Sequence, residues 1–340
     1  MKKKKILITG TAGFIGFHLS KKLIDEDWEI IGLDNINDYY DINLKYARLG
    51  EVGIYRKSIN YGEITQSSIY PNYSFIKVDL EDRALIEDLF AKERFNVVIH
   101  LAAQAGVRFS VENPHVYISS NLVGYVNILE CCRHNKIEHF IYASSSSVYG
   151  NTQKVPFSES DNVDLPVSLY AATKKANELM AHVYSHSYQL PTTGLRFFTV
   201  YGPWGRPDMA PMIFTKSIME NQPIKVYNYG NMMRDFTYID DIIDGIYKVI
   251  KNNPPYPSYY YKIYNIGNSD PIKLLDFINT IELNIGKKAI LKMLPKHNED
   301  VCITYADVRS INKDVNYLPY TKIESGIAKF ISWYKEFYNA

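Results

Sequence analysis

Cysteine is scarce in this chain: Cys131 and Cys132 are adjacent and Cys302 stands alone among 340 residues. That spacing carries neither a disulfide framework nor a thiolate metal site, and the adjacent pair reads as small buried hydrophobes. The eight histidines form no Cys/His cluster, so no metal is expected. A dominant charge is missing too. The 38 Lys and Arg stand against 37 Asp and Glu, for a net charge of +1. A field that small does not gather polyanions, and nucleic acid is not an expected partner. No apolar run approaches the roughly 18 residues needed to cross a bilayer. The basic start Met1-Lys2-Lys3-Lys4-Lys5 runs straight into Ile6-Leu7-Ile8 without the apolar core and cleavage site of a secretory leader. A cytoplasmic protein without a membrane partner is expected. With 46% hydrophobic and 22% charged residues, the chain has the composition of a globular protein with a sizeable core.

What the chain does contain is tyrosine, 29 of them, and one is placed to do chemistry. In Tyr170-Ala171-Ala172-Thr173-Lys174 a phenol and an ammonium are four residues apart, which puts both on one helix face. A free phenol has a pKa of about 10, so a base near neutral pH needs a depression of roughly 3 units, or about 4 kcal/mol. An ammonium about 4 Å away at an effective dielectric near 20 supplies about that much. Such a pair serves hydride transfer, where an alcohol proton leaves as its carbon is oxidised. Alone, the spacing recurs by chance in a tyrosine-rich chain, and its weight comes from what precedes it.

Residues 4 to 34 read as a βαβ unit. The strand Ile6-Leu7-Ile8 is followed by the turn Gly10-Thr11-Ala12-Gly13-Phe14-Ile15-Gly16, a helix from about Phe14 to Asp25, and a strand Glu29 to Leu33 ending in Asp34-Asn35. Glycines there permit a tight turn and close approach of backbone to a pyrophosphate, while the helix N-terminus faces the anion. Asp34 can accept both ribose hydroxyls and would repel a 2′-phosphate, which favours NAD over NADP. The expected fold class is α/β, a Rossmann-type doubly wound parallel sheet with a smaller α/β substrate-binding domain.

The G-x-x-G-x-x-G spacing resembles the extended short-chain dehydrogenase/reductase family, and the likeness covers nearly the whole chain. Further motifs follow in the family's order. Asp79 and Leu80 sit where the family meets the adenine. Leu101, Ala102, Ala103 and Gln104 follow His100 and would line the cofactor, with Asn121 in a helix beyond them. Ala143, Ser144, Ser145, Ser146 and Ser147 end the apolar strand Phe140-Ile141-Tyr142 ahead of Val148-Tyr149-Gly150. The resemblance implies that Tyr170, Lys174, Ser145 and Ser147 are catalytic, with Ala143 and Val200 beside the cofactor. It also implies a homodimer formed through two helices of the first domain.

From about residue 199 the chain grows richer in Pro, Gly and Tyr. Residues 1–198, with a return at about 234–267, are expected to form the NAD-binding domain. Residues 199–233 and 268–340 are expected to hold a nucleotide sugar. Residues 252 to 262 read as a surface loop, and a closing helix is expected from about Thr321 to Phe337. Within the family, the nucleotide-sugar epimerase branch is the best likeness. Arg234-Asp235-Phe236-Thr237-Tyr238-Ile239-Asp240-Asp241 is similar to the motif whose arginine meets the diphosphate, and Val226-Tyr227 to the strand at the uracil. Asp300 stands where relatives contact the nucleotide, although His297-Asn298-Glu299 depart from their pattern.

Two residues before Tyr149, where dehydratases and decarboxylases carry an acid, this chain has Ser147. Without that acid the hydride is expected to return to the sugar. Phe197-Phe198-Thr199-Val200-Tyr201-Gly202-Pro203-Trp204-Gly205-Arg206 resembles the signature of UDP-glucuronate 4-epimerases, with a hydroxyl at Thr199 for the sugar carboxylate and Arg206 on the substrate. The expected reaction is C4 epimerisation of a UDP-sugar through a 4-keto intermediate, on a tightly held NAD that each turnover regenerates. Three other readings stay open: a UDP-glucose or UDP-N-acetylhexosamine(uronate) 4-epimerase, a non-catalytic NAD-binding sensor or scaffold, and a net dehydrogenase.

Overall fold

The computed structural model describes residues 3–252, 260–296 and 301–339. The first seven strands are β1 (Lys4–Thr9), β2 (Trp28–Asp34), β3 (Ile64–Gln66), β4 (Tyr73–Lys77), β5 (Val97–His100), β6 (His139–Ser145) and β7 (Thr192–Phe197). Six follow: β8 (Thr199–Tyr201), β9 (Pro223–Val226), β10 (Met233–Tyr238), β11 (Tyr261–Ile266), β12 (Pro271–Lys273) and β13 (Ile290–Met293). Among the described residues, eight strands form one sheet in the order β11-β7-β6-β5-β1-β2-β4-β3. Every pairing in it is parallel except the edge pair of β3 with β4.

Helices cover both faces, so the central strands read as unbroken apolar runs: Ile6, Leu7, Ile8, Ile30, Val98, Ile99, Phe140 and Ile141 are all buried. Strand order reverses between β1 and β5. The loops leaving their carboxyl ends diverge to opposite sides, which opens a crevice at that point. The glycine turn, the Gln104 loop and the serine run are carried on the ends of β1, β5 and β6.

The second half adds two small sheets above that crevice, β12-β10-β8 and β13-β9. The return to the large sheet starts later than expected. Met233–Tyr238 pairs with β8 and β12 outside that sheet, where Phe236 and Tyr238 pack against Tyr201 and Phe236 stacks on Phe277. The crossing back is made by the helix Ile239–Lys251, which packs on Phe14–Ile24, and by β11 on β7. Much of the expected 252–262 loop, residues 253–259, lies outside the described residues. Tyr261 and Lys262 belong to β11. The closing helix runs Ile323–Tyr338. His182 and His186, a four-residue spacing passed over in the sequence, stack with ring centroids 6.5 Å apart; among the described residues no third ligating side chain joins them.

Three other histidines are locked inside. His18 Nε2 donates to the Pro203 carbonyl at 2.9 Å, while His100 and His139 bond the Thr9 and Thr193 hydroxyls at 3.0 and 2.8 Å. Burial pushes His18 down to about 4 and His100 and His139 down to about 3. All three folded values lie below the ordinary one, so as pH falls from 6.5 towards 4 the unfolded chain binds protons that the native state refuses. Stability present above pH 6.5 is therefore lost on acidification. Denaturant midpoints measured from pH 7 to pH 5 should fall, and His139→Gln should remove about one proton from the slope. An unchanged slope in that variant would contradict the assignment.

Candidate active site

The crevice is a cavity of about 1080 Å³ lined from both halves of the chain. At its first end lies the glycine turn. Gly10 has φ +82 and its missing Cβ would sit 2.8 Å from Ala102 N, while a Cβ on Gly16 would sit 2.2 Å from the Gly10 carbonyl oxygen. Only glycine lets the turn, the helix start and the β5 loop come this close. The helix Phe14–Ile24 begins with no side-chain cap at Gly13 and no acid in its first turn, so its leading N–H groups are open to an anion. Asp34, at the end of β2, accepts from Ala12 N at 3.1 Å and Ile36 N at 2.8 Å. Each carboxylate oxygen keeps a lone pair for a ribose hydroxyl. Gly10, Gly13, Phe14, Ile15, Gly16, Asp34 and Asn35 all line this end, and the chemistry of the set fits a dinucleotide.

The wall beyond is made by β6 and the helix Leu169–Tyr188, which Ser168 caps through Ala171 N. Leu80, Leu101, Ala102, Ala103, Gln104, Ala143, Val200 and Ser144 to Ser147 line the cavity together with Tyr170 and Lys174. Ser145 Oγ donates to Ser147 Oγ at 3.1 Å and accepts from Ser147 N at the same distance. Lys174 Nζ donates to the Ala143 carbonyl at 2.9 Å, which aims the ammonium at the strand end. Burial pulls that ammonium down to about 8. Burial also raises the Tyr170 phenol, against a lowering by the Ser145 hydroxyl and the Arg206 charge. Ser144 turns away: its hydroxyl donates to Glu178 Oε1 at 2.6 Å, and Glu178 takes two bonds from Arg196 at 2.8 Å each.

Thr199, Arg206, Tyr227 and Arg234 also line the cavity. Arg206 pairs with Asp208, which also accepts from the Tyr39 hydroxyl at 3.0 Å. Burial opposes ionisation of Asp208, but Arg206 beside it holds the carboxyl below its usual range. Arg234 Nη1 donates to the carbonyls of Met233 and Cys302, at 2.9 and 3.2 Å. Its neighbour Asp235 is wholly buried, accepting N–H bonds from Asn268, Ser269 and Ala306, so it holds loops rather than ligand.

Three residues assigned to ligands from sequence lie behind the cavity wall. Asn121 sits in a π-helical turn, Ser119–Val123, and its amide bonds both backbone groups of Gln104 and the Thr173 hydroxyl, joining the β5 loop to the Tyr170 helix. Asp79 accepts from Asn35 Nδ2 at 2.8 Å, one step back from the cavity. Val226 is wholly buried in the core, while Lys225 and Tyr227 on either side of it line the cavity. Asp300 and His297-Asn298-Glu299 lie outside the described residues. The cavity also receives Tyr39, Lys45, Arg108 and Asp208, which the sequence reading missed. Arg108 lies over the Tyr227 ring at 4.4 Å, spanning the two halves. For Lys45 a signal existed: it shares the leucine face of its helix, where a solvated cation has no place.

Comparison with known proteins places this geometry. The family model described as "NAD dependent epimerase/dehydratase family" matches residues 6–267. The chain is similar to "Protein CapI" of Staphylococcus aureus, 52% identical over 98% of this chain and 99% of the relative. It is 42% identical to a "Probable UDP-glucuronate 4-epimerase" of Rhizobium meliloti, with 98% of each chain covered. Among solved structures it resembles the UDP-glucuronic acid 4-epimerase of Bacillus cereus in complex with UDP-glucuronic acid and NAD. The TM-score is 0.88 and the identity 31%, over 98% of this chain and 100% of the other.

Proposed function

The chain belongs to the NAD dependent epimerase/dehydratase family, and on that footing we propose that it interconverts UDP-glucuronate and UDP-galacturonate by inverting C4 of the sugar. It is an NAD-dependent isomerase. One observation carries the substrate reading: Ser145, Ser147, Tyr170, Lys174 and Thr199 line the same cavity as the glycine turn. Residues 1–198 and the return segment are assigned to the cofactor, and 199–233 with 268–340 to the nucleotide sugar. Gly10 to Gly16 would seat the pyrophosphate, Asp34 and Asn35 the adenosine ribose, and Leu101 to Gln104 with Ala143 and Val200 the nicotinamide half. Bound NAD supplies a reversible hydride acceptor.

The chain's own residues handle the proton and the pose. Tyr170 takes the proton of the sugar 4-hydroxyl as C4 becomes a ketone, and Ser145 and Ser147 hydrogen-bond the same oxygen. Lys174 stabilises the phenolate. Arg234 and Tyr227 hold the diphosphate and base while the keto sugar turns about its diphosphate link, and Tyr170 returns the proton once the other face is reduced. Because Ser147 stands where an acid would serve elimination, no second proton-transfer group competes. Leu179 and Val183 are exposed on the Tyr170 helix, Ile118 and Val123 are exposed on the segment packed against it, and these apolar side chains support a homodimer. No described helix is long and apolar enough to cross a membrane.

A uronate oxidised at C4 is a β-keto acid, which loses CO₂ when the carboxylate bond aligns with the ketone π system. Thr199, with the serine run, would hold the carboxylate out of that alignment. Thr199→Ala should raise CO₂ release relative to epimerisation, and an unchanged partition would remove Thr199 from this role. The reading as a whole is tested by incubating the protein with UDP-glucuronate and no added NAD, with UDP-glucose in parallel, and resolving the C4 epimers. Galacturonate product without net NADH is expected. Product from UDP-glucose alone would reassign the substrate, and steady NADH accumulation would contradict an epimerase.

A further inference from the structure

Arg48 is a buried cation that the proposed reaction leaves unused. It lies on the helix Ile42–Glu51, beside Leu44 and Leu49, and none of it reaches solvent. Its Nη1 donates to the Ala12 carbonyl at 2.8 Å and the Tyr40 hydroxyl at 2.7 Å. Its Nη2 donates to the carbonyls of Trp204 at 2.7 Å and Gly205 at 3.2 Å. All four acceptors are neutral, and the buried Nε finds none among the described residues. Ala12 is part of the glycine turn. Trp204 and Gly205 lead directly into Arg206, which lines the cavity. One guanidinium thus fastens the cofactor loop to the loop assigned to the sugar.

Two further contacts grip the same segment from the nucleotide side. His18 Nε2, on the helix that leaves the glycine turn, donates to the Pro203 carbonyl at 2.9 Å, and the Phe17 and Trp204 rings meet at 5.3 Å. Trp204 itself has φ +63. A bulky residue stays in that left-handed region only where its surroundings overdetermine it. The conformation presenting Arg206 to the cavity is therefore held by the phosphate side of the molecule.

We propose that Arg48 is a positioning residue that couples the two ligands: a dinucleotide ordering the glycine turn also orders residues 203–206, so cofactor and nucleotide sugar each bind more tightly in the other's presence. The inference rests on the assignment of Arg206 to the sugar side. Reciprocity is required, because a coupling free energy between two sites is one quantity read from either end. The two-nitrogen fork is what reaches both loops; a lysine ammonium is a point charge on one stem and cannot span them.

The test uses UDP as the probe, since it binds without reacting, titrated by calorimetry into protein saturated with NAD and into protein stripped of it. In the wild-type protein NAD should tighten UDP binding by about fivefold or more. Arg48→Met should bring that ratio to about one, and Arg48→Lys should lose the coupling while binding NAD within about threefold of wild type. A merely structural role would weaken both ligands and leave the ratio alone. Should the methionine variant fail to fold, the lysine variant decides. Coupling that survives in a folded variant, or is absent from the wild type, overturns the inference and leaves the epimerase reading standing. A wild-type protein that binds neither NAD nor UDP would overturn that reading itself.

Discussion

Lys174 is a lysine buried beside a parallel sheet, and the proposed reaction depends on where its ammonium is held. Its ammonium rests on the Ala143 carbonyl, the point where β6 turns into the serine run, one helical turn from Tyr170. Burial works against both partners, raising the phenol and lowering the ammonium to about 8. In the proposed reaction a phenolate beside the ammonium would favour the charged form of both. The ammonium is anchored on a main-chain carbonyl. That anchor leaves the ammonium free to act through space on whatever the phenol holds.

Geometry of that kind fails if the helix slides on the strand. The bidentate pair of Glu178 with Arg196 prevents it, since Glu178 lies one turn beyond Lys174 and Arg196 lies on β7. Ser144 donates to the same carboxylate, which fixes the register of Ser145 and Ser147 against the phenol. On the other side Asn121 ties the helix to the β5 loop through Thr173 and Gln104. The serine run is thus placed by a hydrogen-bond network behind the cavity wall.

Much of this was legible from the chain because it is carried by local spacing. The glycine turn, Asp34 at the next strand end, the serine run and the Tyr170 helix each depend on residues a few positions apart. Residues whose partners are remote were not legible. Asn121 reads as a cofactor contact by motif, yet its partners are 17 and 52 residues away and turn it into a brace. Arg48 reads as one charge among many, and its decisive acceptor is 156 residues distant. Val226 is wholly buried between Lys225 and Tyr227, which line the cavity, and a motif read as a run hides which of its members reaches the surface.

The central claim is that a buried ammonium makes Tyr170 a base at neutral pH. The most direct test follows the epimerisation rate against pH for the wild-type protein and Lys174→Met, both at saturating NAD. If the claim holds, the rising limb that reports phenol ionisation moves upward by about 3 units in the variant, with the rate at pH 7 depressed to match. A limb at the same pH in both proteins would contradict it and assign the proton to another group.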